Sequence, residues 1–520
     1  MKESNTIKRI RHVLLKCRAE QLPQLVLLGS YSRQSAHYSR SLLWKIVAFQ
    51  ITGHLEELSL RMLRECRKDY EILRSEFMVP WNELAKDHEF YCDLNVEHDL
   101  SDSFGKKLKM SRMRIQRHPL DTPKAPKMTD IQTLESLSAD VDRLFPQIPE
   151  YFVENKENRR QLIEVLYIWW KLNGRQYSQG LHEIAGMIFI TLKRESICKT
   201  SFQNVDPGTS LVVELMDSKY LRHDVFSMFH MMTESLVDLY YDETSLLQES
   251  IKFDLKLRLL DKYQYHLLKN KLRIESSIWL IRYFRLLLIR EIGLEYSFDL
   301  WDTLVAFSYT QHPEKLDLSL LLPYIIILLL SLIKSQLIIS DYGEAMYLLL
   351  HYPIEDRHKN HLQPSAILIN EDAGSPTEES TFTYIQENHQ SKNSGSFDCV
   401  STNKNGQELL QLDIPQITKD AIALYHMSDQ ELSTMGTQII ELYSGLSNEE
   451  NKDGVLSASP IKNQSSPLGD MLKRSASWTR KSSSSGKNKN NSLHCNQRKD
   501  FDRTRLELRL RNKVSQALRK

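Results

Sequence analysis

The sequence predicts an all-α fold, and three observations carry that reading. Apolar residues recur at spacings of three and four over long segments before Pro353. Glycine and proline are few, 17 and 16 in 520 residues, and before Pro353 most of them fall between those segments. Period-two patterning of the kind that marks strands is scarce. At about 150 residues per domain the length allows three or so units and a large core.

The opening stretch, MKESNTIKRIRHVLLKC, interrupts its apolar residues with charge every few positions and reads as an N-terminal helical extension over 1–34, without the apolar run a signal peptide needs. Residues 54–76 interleave Leu55, Leu58, Leu60, Leu63, Tyr70 and Leu73 with charge and predict an amphipathic helix. From 78 to 130 the periodicity fades into the Pro-, Lys- and Arg-containing stretch KKLKMSRMRIQRHPLDTPKAPKM, read as an inserted loop. Residues 158–172 set Leu162, Leu166, Trp169 and Trp170 on one stripe, and 180–192 (GLHEIAGMIFITL) is apolar nearly all round, as in a central buried helix. Further helices are expected near 221–241, 251–269, 276–291, 298–307, 318–334 and 342–350. Within the fifth of these, LSLLLPYIIILLLSLI gives sixteen uncharged residues, short of the roughly 20 that span a bilayer and interrupted by Pro323, so a buried helix is expected. After Pro353 the composition turns to Ser and Asn, and 354–520 is expected to be mostly disordered. Two islands stand out there, a helix near 418–446 and a basic amphipathic helix over 503–520.

Charge and cysteine content exclude several classes. With 68 Lys+Arg against 67 Asp+Glu the chain has no global polyelectrolyte character, and no nucleic-acid partner is expected. The balance is uneven, because residues 471–520 hold 15 Lys/Arg against 3 Asp/Glu and leave a mildly acidic body. Six scattered cysteines without a CxxC pair fit a reduced, cytoplasmic compartment and no zinc module. No GxGxxG after a strand, GxxxxGK[ST] or GxSxG is present, and His182-Glu183 lacks a second His at metalloprotease spacing. Nucleotide hydrolysis by this chain alone is therefore not expected.

Two short clusters remain. In Leu137-x-x-Asp140-x-x-Arg143-Leu144-Phe145-Pro146, Asp140 and Arg143 at i and i+3 would share a helix face that Pro146 ends, and the carboxylate could hold the guanidinium. Taken alone, that is also a description of an ordinary surface ion pair. Tyr177-Ser178-Gln179-Gly180 opens the apolar helix and would set Gln179 at an exposed helix N-terminus, or simply form a cap.

In this order, DxxRLFP followed by YSQG resembles the IxxDxxR and YxQ motifs of the TBC family of Rab GTPase-activating proteins. Arg40-Ser41-Leu42-Leu43-Trp44 is similar to that family's RxxxW segment and Leu300-Trp301-Asp302 to its late LWD segment. The resemblance covers roughly 35–353 and implies a TBC helical domain there, the loop 78–130 being an insertion. It implies that Arg143 and Gln179 act in trans as arginine and glutamine fingers on a Rab/Ypt small GTPase in its GTP form. Asp140 would anchor Arg143, Tyr177 would support the glutamine loop, and Arg40 and Trp44 would be supporting residues. The chain would then be a catalytic activator and no enzyme by itself, with no cofactor of its own, Mg-GTP being carried by the partner. Three places depart from the pattern: Leu137 stands for the motif's Ile, a volume-conserving exchange, Leu144 where Thr is common, and Ala185-Gly186 where an Ala-Pro pair is common.

The wording RQYSQGLHEIAGMIFI, then IRYFRLLLIREI and LLLHYPI, is similar to a branch that works in vesicle transport at endosomes and the Golgi and includes a retromer-binding member. In such members a Pro-Leu loop before the arginine motif docks on retromer; His118-Pro119-Leu120-Asp121 holds the comparable place, and is otherwise an ordinary loop. In the tail, Phe382 and Ile385 of Thr381-Phe382-Thr383-Tyr384-Ile385 fit an autophagy-receptor pattern that also arises by chance. Lys473-Arg474-Ser475-Ala476-Ser477 suits a basophilic kinase, whose phosphate would subtract from the tail's charge. The final helix aligns Leu506, Leu510, Val514 and Ala517 amid Arg and Lys, as for an anionic membrane surface, a partner helix or a solvated tail. Peripheral recruitment of a cytoplasmic protein to endosome or Golgi membranes follows from the resemblance. The rival reading is a non-catalytic Rab- or retromer-binding adaptor.

Overall fold

The computed structural model describes residues 2–78, 128–202, 205–354 and 409–444, and these are helical throughout, with two isolated bridges and no strand among them. The principal helices are α1 (Lys2–Lys16), α2 (Arg40–Ala48), α3 (Arg61–Phe77), α4 (Met128–Val141), α5 (Lys156–Asn173), α6 (Leu181–Glu195) and α7 (Leu221–Thr233). They are followed by α8 (Glu243–Leu260), α9 (Ser276–Arg285), α10 (Ile289–Gln311), α11 (Leu322–Leu332), α12 (Ile414–Tyr425) and α13 (Thr437–Ser444).

The all-round apolar helix is central, as expected. Residues Leu181 to Leu192 of α6 are buried without exception, against α2, α4, α5 and α7. Between Ile184 and Leu192 α6 is held by packing, and its two ends are tied by Glu183 to Arg290 and by Glu195 to Arg9, Ser39 and Ser41. The sixteen-residue apolar run folds as α11, buried from Leu322 to Ser331, with Pro323 at the first turn, where its missing N–H costs nothing. No helix of the described residues is long and apolar enough to cross a membrane.

Several boundaries differ from the sequence expectation. Leu55, Leu58 and Leu60 are buried in a 3-10 turn and an extended approach, and the helix begins only at Arg61. Their spacing reports a shared core and not a shared helix. The helix expected over 276–291 breaks after Arg285, where Leu287 and Leu288 adopt positive φ (47° and 68°), and α10 restarts at Ile289. α4 starts at Met128, inside the stretch read as loop; residues 79–127, Leu120 included, lie outside the described residues, as do Phe382, Ile385 and the 503–520 helix.

Two segments outside the expected 35–353 unit pack into the same body. α1 buries Ile7, Ile10, Val13 and Leu14, and Arg9 binds Glu195 at 3.3 Å. The segment 409–444 lays α12 and α13 on α11, with Leu412, Ile414, Ile417, Leu424 and Ile440 buried, so the packed body continues past Pro353.

Candidate functional site

The last turn of α4 and the loop before α6 meet at one carboxylate. Asp140 is buried; its Oδ1 accepts from Arg143 Nη2 at 2.7 Å and its Oδ2 from the Tyr177 hydroxyl at 2.9 Å. The two sequence clusters, 37 residues apart, are thereby joined through a single side chain. Arg143 also donates from Nε to the Ala139 carbonyl at 3.1 Å, yet its side chain remains 68% exposed. The guanidinium is thus oriented from behind and open in front. Such an exposed pair contributes at most about 1 kcal/mol to stability, so its consequence is orientation. A cation at this helix C-terminus is also favoured by the helix dipole.

The local backbone differs from the expectation in one respect. α4 ends at Val141, before Arg143, and the i, i+3 contact is made across the following turn, in which the Arg143 N–H meets the Asp140 carbonyl and that of Leu144 the Val141 carbonyl. What terminates the helix is this turn and Phe145, at φ 47°, a conformation rarely adopted by a bulky side chain, with Pro146 following it. Leu144 and Phe145 are buried, and Gly186 of α6 is what admits them. A β-carbon at 186 would lie 2.6 Å from Leu144 Cδ2 and 3.0 Å from Phe145 Cε2. Two of the departures from the family pattern, Leu144 and Gly186, therefore touch each other, the longer side chain using the room the glycine leaves.

On the other side, Gln179 is exposed and immediately precedes the N-cap Gly180 of α6. Gly180 has φ 106°, which favours glycine, and a β-carbon there would also crowd Leu286 Cδ2 at 3.0 Å. The Gly180 N–H donates to His182 Nδ1 at 3.3 Å. His182 is buried, with Nδ1 3.0 Å from the Tyr177 hydroxyl and 3.4 Å from Asp140 Oδ2. Burial pushes the Tyr177 hydroxyl well above the usual phenol range, with Asp140 adding to it, so it stays a donor. Glu183, next on α6 and also buried, accepts a two-pronged contact from Arg290 of α10.

Of the residues expected to matter, Asp140, Arg143, Tyr177 and Gln179 come together here. Arg40 and Trp44 do not belong to this cluster. Arg40 Nε binds Asp302 at 2.8 Å and its Nη2 binds Asp299 at 2.8 Å, while Trp44 Nε1 donates to Asp302 at 2.9 Å and Tyr38 to the same carboxylate. They clamp α2 to α10 and so tie the RxxxW segment to the LWD segment. Sequence reading missed His182, Gly186 and the Glu183–Arg290 pair. The signal was present, since His182 and Glu183 are the two ionisable residues in the buried stretch from Leu181 to Leu192 of α6.

A model of the Rab-GTPase-TBC domain family matches residues 98–338. TBC1 domain family member 5 of Mus musculus is 28% identical over 257 residues, 43% of this chain and 30% of the mouse protein. The Homo sapiens protein of that name is 27% identical over 261 residues, 44% of this chain and 31% of the relative. The matched segment thus spans about a third of the length of these curated relatives. The crystal structure of the Ypt/Rab-GAP domain of Gyp1p aligns with 68% of this chain and 93% of its own, at 19% identity and a TM-score of 0.46.

Proposed function

We propose, from the premise that this chain carries a Rab-GTPase-TBC domain, that it is a GTPase-activating protein for a Rab/Ypt small GTPase and supplies Arg143 and Gln179 to it in trans. The single observation that supports this most is the shared Asp140 carboxylate, which joins an exposed arginine to the loop of an exposed glutamine. A helix scaffold without this role would have no need to hold a guanidinium that is 68% exposed.

The chemistry belongs to the partner's site. A GTPase hydrolyses GTP slowly when charge on the transferring phosphoryl group is poorly neutralised and the attacking water poorly held. Arg143 brings a fixed positive fork to the first need, and Gln179 an amide that both donates and accepts to the second. The nucleotide and its magnesium come with the GTPase, and the chain contributes no cofactor. Beside the glutamine loop, a cleft of about 520 Å3 between α8 and α9, lined by Tyr240, Leu247 and Ile278 among others, extends the surface that such a partner would cover. Work at endosomes or the Golgi, peripheral recruitment from the cytoplasm, retromer docking through Leu120, an autophagy contact through Phe382 and Ile385, and membrane attraction by the basic tail belong to the same reading and rest on sequence.

The test is single-turnover GTP hydrolysis across a Rab panel with wild type, Arg143→Ala, Arg143→Lys and Gln179→Ala. An arginine finger is worth about 10³ to 10⁵ in rate, so Arg143→Ala should abolish nearly all acceleration, and the lysine variant should recover little because an ammonium lacks the planar fork. Binding of a Rab with no acceleration of any would replace this reading with the adaptor.

A further inference from the structure

We propose that His182 is a positioning residue that anchors the glutamine loop through the Gly180 amide, beside the Tyr177–Asp140 pair that holds the arginine, so that the imidazole sets the glutamine finger. This rests on the activator reading above. Its nitrogen Nδ1 is the acceptor for the Gly180 N–H at 3.3 Å, and Gly180 is the residue directly after Gln179. The same nitrogen stands 3.0 Å from the Tyr177 hydroxyl and 3.4 Å from Asp140 Oδ2. Tyr177 has one proton, and the charged carboxylate at 2.9 Å is the stronger acceptor, so that proton goes to Asp140. The Gly180 N–H then has Nδ1 to itself, which requires the neutral ring with its proton on Nε2. Leu286 and Tyr240 close the opposite side of Gly180, leaving the loop no other anchor for that amide in the described structure.

The charged and titratable groups facing the ring come from every neighbouring element. Asp140 and Arg143 reach it from α4 and its following turn, Tyr177 from the loop, Glu183 from α6 itself and Arg290 from α10. Burial dominates and lowers the His182 pKa from 6.5, against the pull of Asp140 and Glu183 and with Arg290 and Arg143 assisting. The neutral ring is thus the form at neutral pH. Protonation puts a donor where the Gly180 amide needs an acceptor, frees that amide, and turns Nδ1–H towards the Asp140 oxygen that Tyr177 uses. Activity that depends on this clamp falls as pH drops below the ordinary histidine range.

Leucine and asparagine at 182 separate the clamp from mere packing. His182→Leu keeps the bulk and loses the acceptor, whereas His182→Asn keeps an acceptor and cannot titrate. Expected are a kcat for Rab-stimulated hydrolysis about 10-fold lower in the leucine variant with KM within about 2-fold, and recovery to within about 3-fold in the asparagine variant. The ratio of asparagine-variant to wild-type activity should rise as pH goes from about 7.5 to 5.5. Hydrogen exchange of the peptide containing Gly180 provides a readout free of any GTPase, and should quicken in the leucine variant only. Equal impairment of both variants, or a leucine variant with wild-type kcat and unchanged exchange, would overturn the proposal. If wild type accelerates no Rab, the activator reading fails, and the Gly180 exchange alone decides whether the clamp exists.

Discussion

At the scale of single residues, the proposed finger site is built from side chains that would be unremarked elsewhere. Asp140 contributes little stability through its pair with Arg143, but with one oxygen on each motif it converts two flexible ends into one oriented surface. Gly186 does the same job sterically. Gly186→Ala places a methyl 2.6 Å from Leu144 Cδ2, inside any permitted contact, so the end of the buried Leu144 side chain must shift and strains the turn it anchors. Overpacking of this kind costs typically about 1 to 3 kcal/mol. Because that turn carries Arg143, the expected result is a loss of GTPase activation larger than the loss of stability explains. Urea unfolding beside single-turnover hydrolysis measures both, and an activity unchanged at reduced stability would disconnect the turn from the fingers. Gly186→Ala with Leu144→Ala together should recover much of the deficit, since the second substitution restores the room.

At the scale of elements, helices are tied by buried ion pairs as well as by apolar contact. Asp224 of α7 accepts from Lys45 of α2 at 2.7 Å and from Arg67 of α3 at 2.7 Å through each of its oxygens. Burial alone would raise this carboxyl, but the two cations outweigh it and hold its pKa below 3.8. A folded-state pKa below the unfolded value means the stabilisation is present above about pH 4 and is lost as pH falls beneath it. Asp224→Asn removes the charge while leaving Lys45 and Arg67 buried, and breaking such a pair costs about 3 to 5 kcal/mol. Thermal unfolding should therefore give a markedly lower Tm for the variant at pH 7, with a difference from wild type that narrows in acid; a constant difference would refute the ionic origin. How far these elements were legible follows the same physics. Helix existence was readable wherever one face alternates with charge, as in α3 and α5, and the all-apolar α6 was recognisable as central. Starts and breaks were not, because Leu55, Leu58 and Leu60 are buried for tertiary reasons, and the left-handed pair Leu287–Leu288 has no local signature. Of the site, Asp140, Arg143, Tyr177 and Gln179 stood out through motif likeness, whereas His182 and Gly186 acquire meaning only once α4 and α6 are brought side by side.

At the scale of the whole molecule, composition separated an ordered body from a polar remainder but placed the border too early. Residues 409–444 carry enough apolar surface to fold back, and the feature they cover is the most apolar helix of the body. Tyr425 packs edge-on against Phe307 of α10 at 5.0 Å and against Tyr324 of α11 at 6.1 Å, and Gly436 fits so closely on α8 that a β-carbon there would meet Leu260 Cδ2 at 2.6 Å. Leu412, Ile414, Ile417, Leu424, Leu432 and Ile440 are all at most 3% exposed. Burying one such side chain is worth about 1.5 to 3 kcal/mol before the entropy of ordering the segment is subtracted. Ending the chain after residue 354 removes all six and bares α11 on that side. The expected outcome is a urea midpoint several-fold more sensitive than to any single core truncation, together with new binding of an apolar dye. Arg143 lies in the turn after α4 and Gln179 just before α6, and neither helix packs closely against this segment, so on the proposed function hydrolysis per folded molecule should stay near wild type below the new midpoint. A midpoint equal to that of the full chain would mean that α12 and α13 only decorate the surface, and the early border read from composition would then have been the energetically correct one.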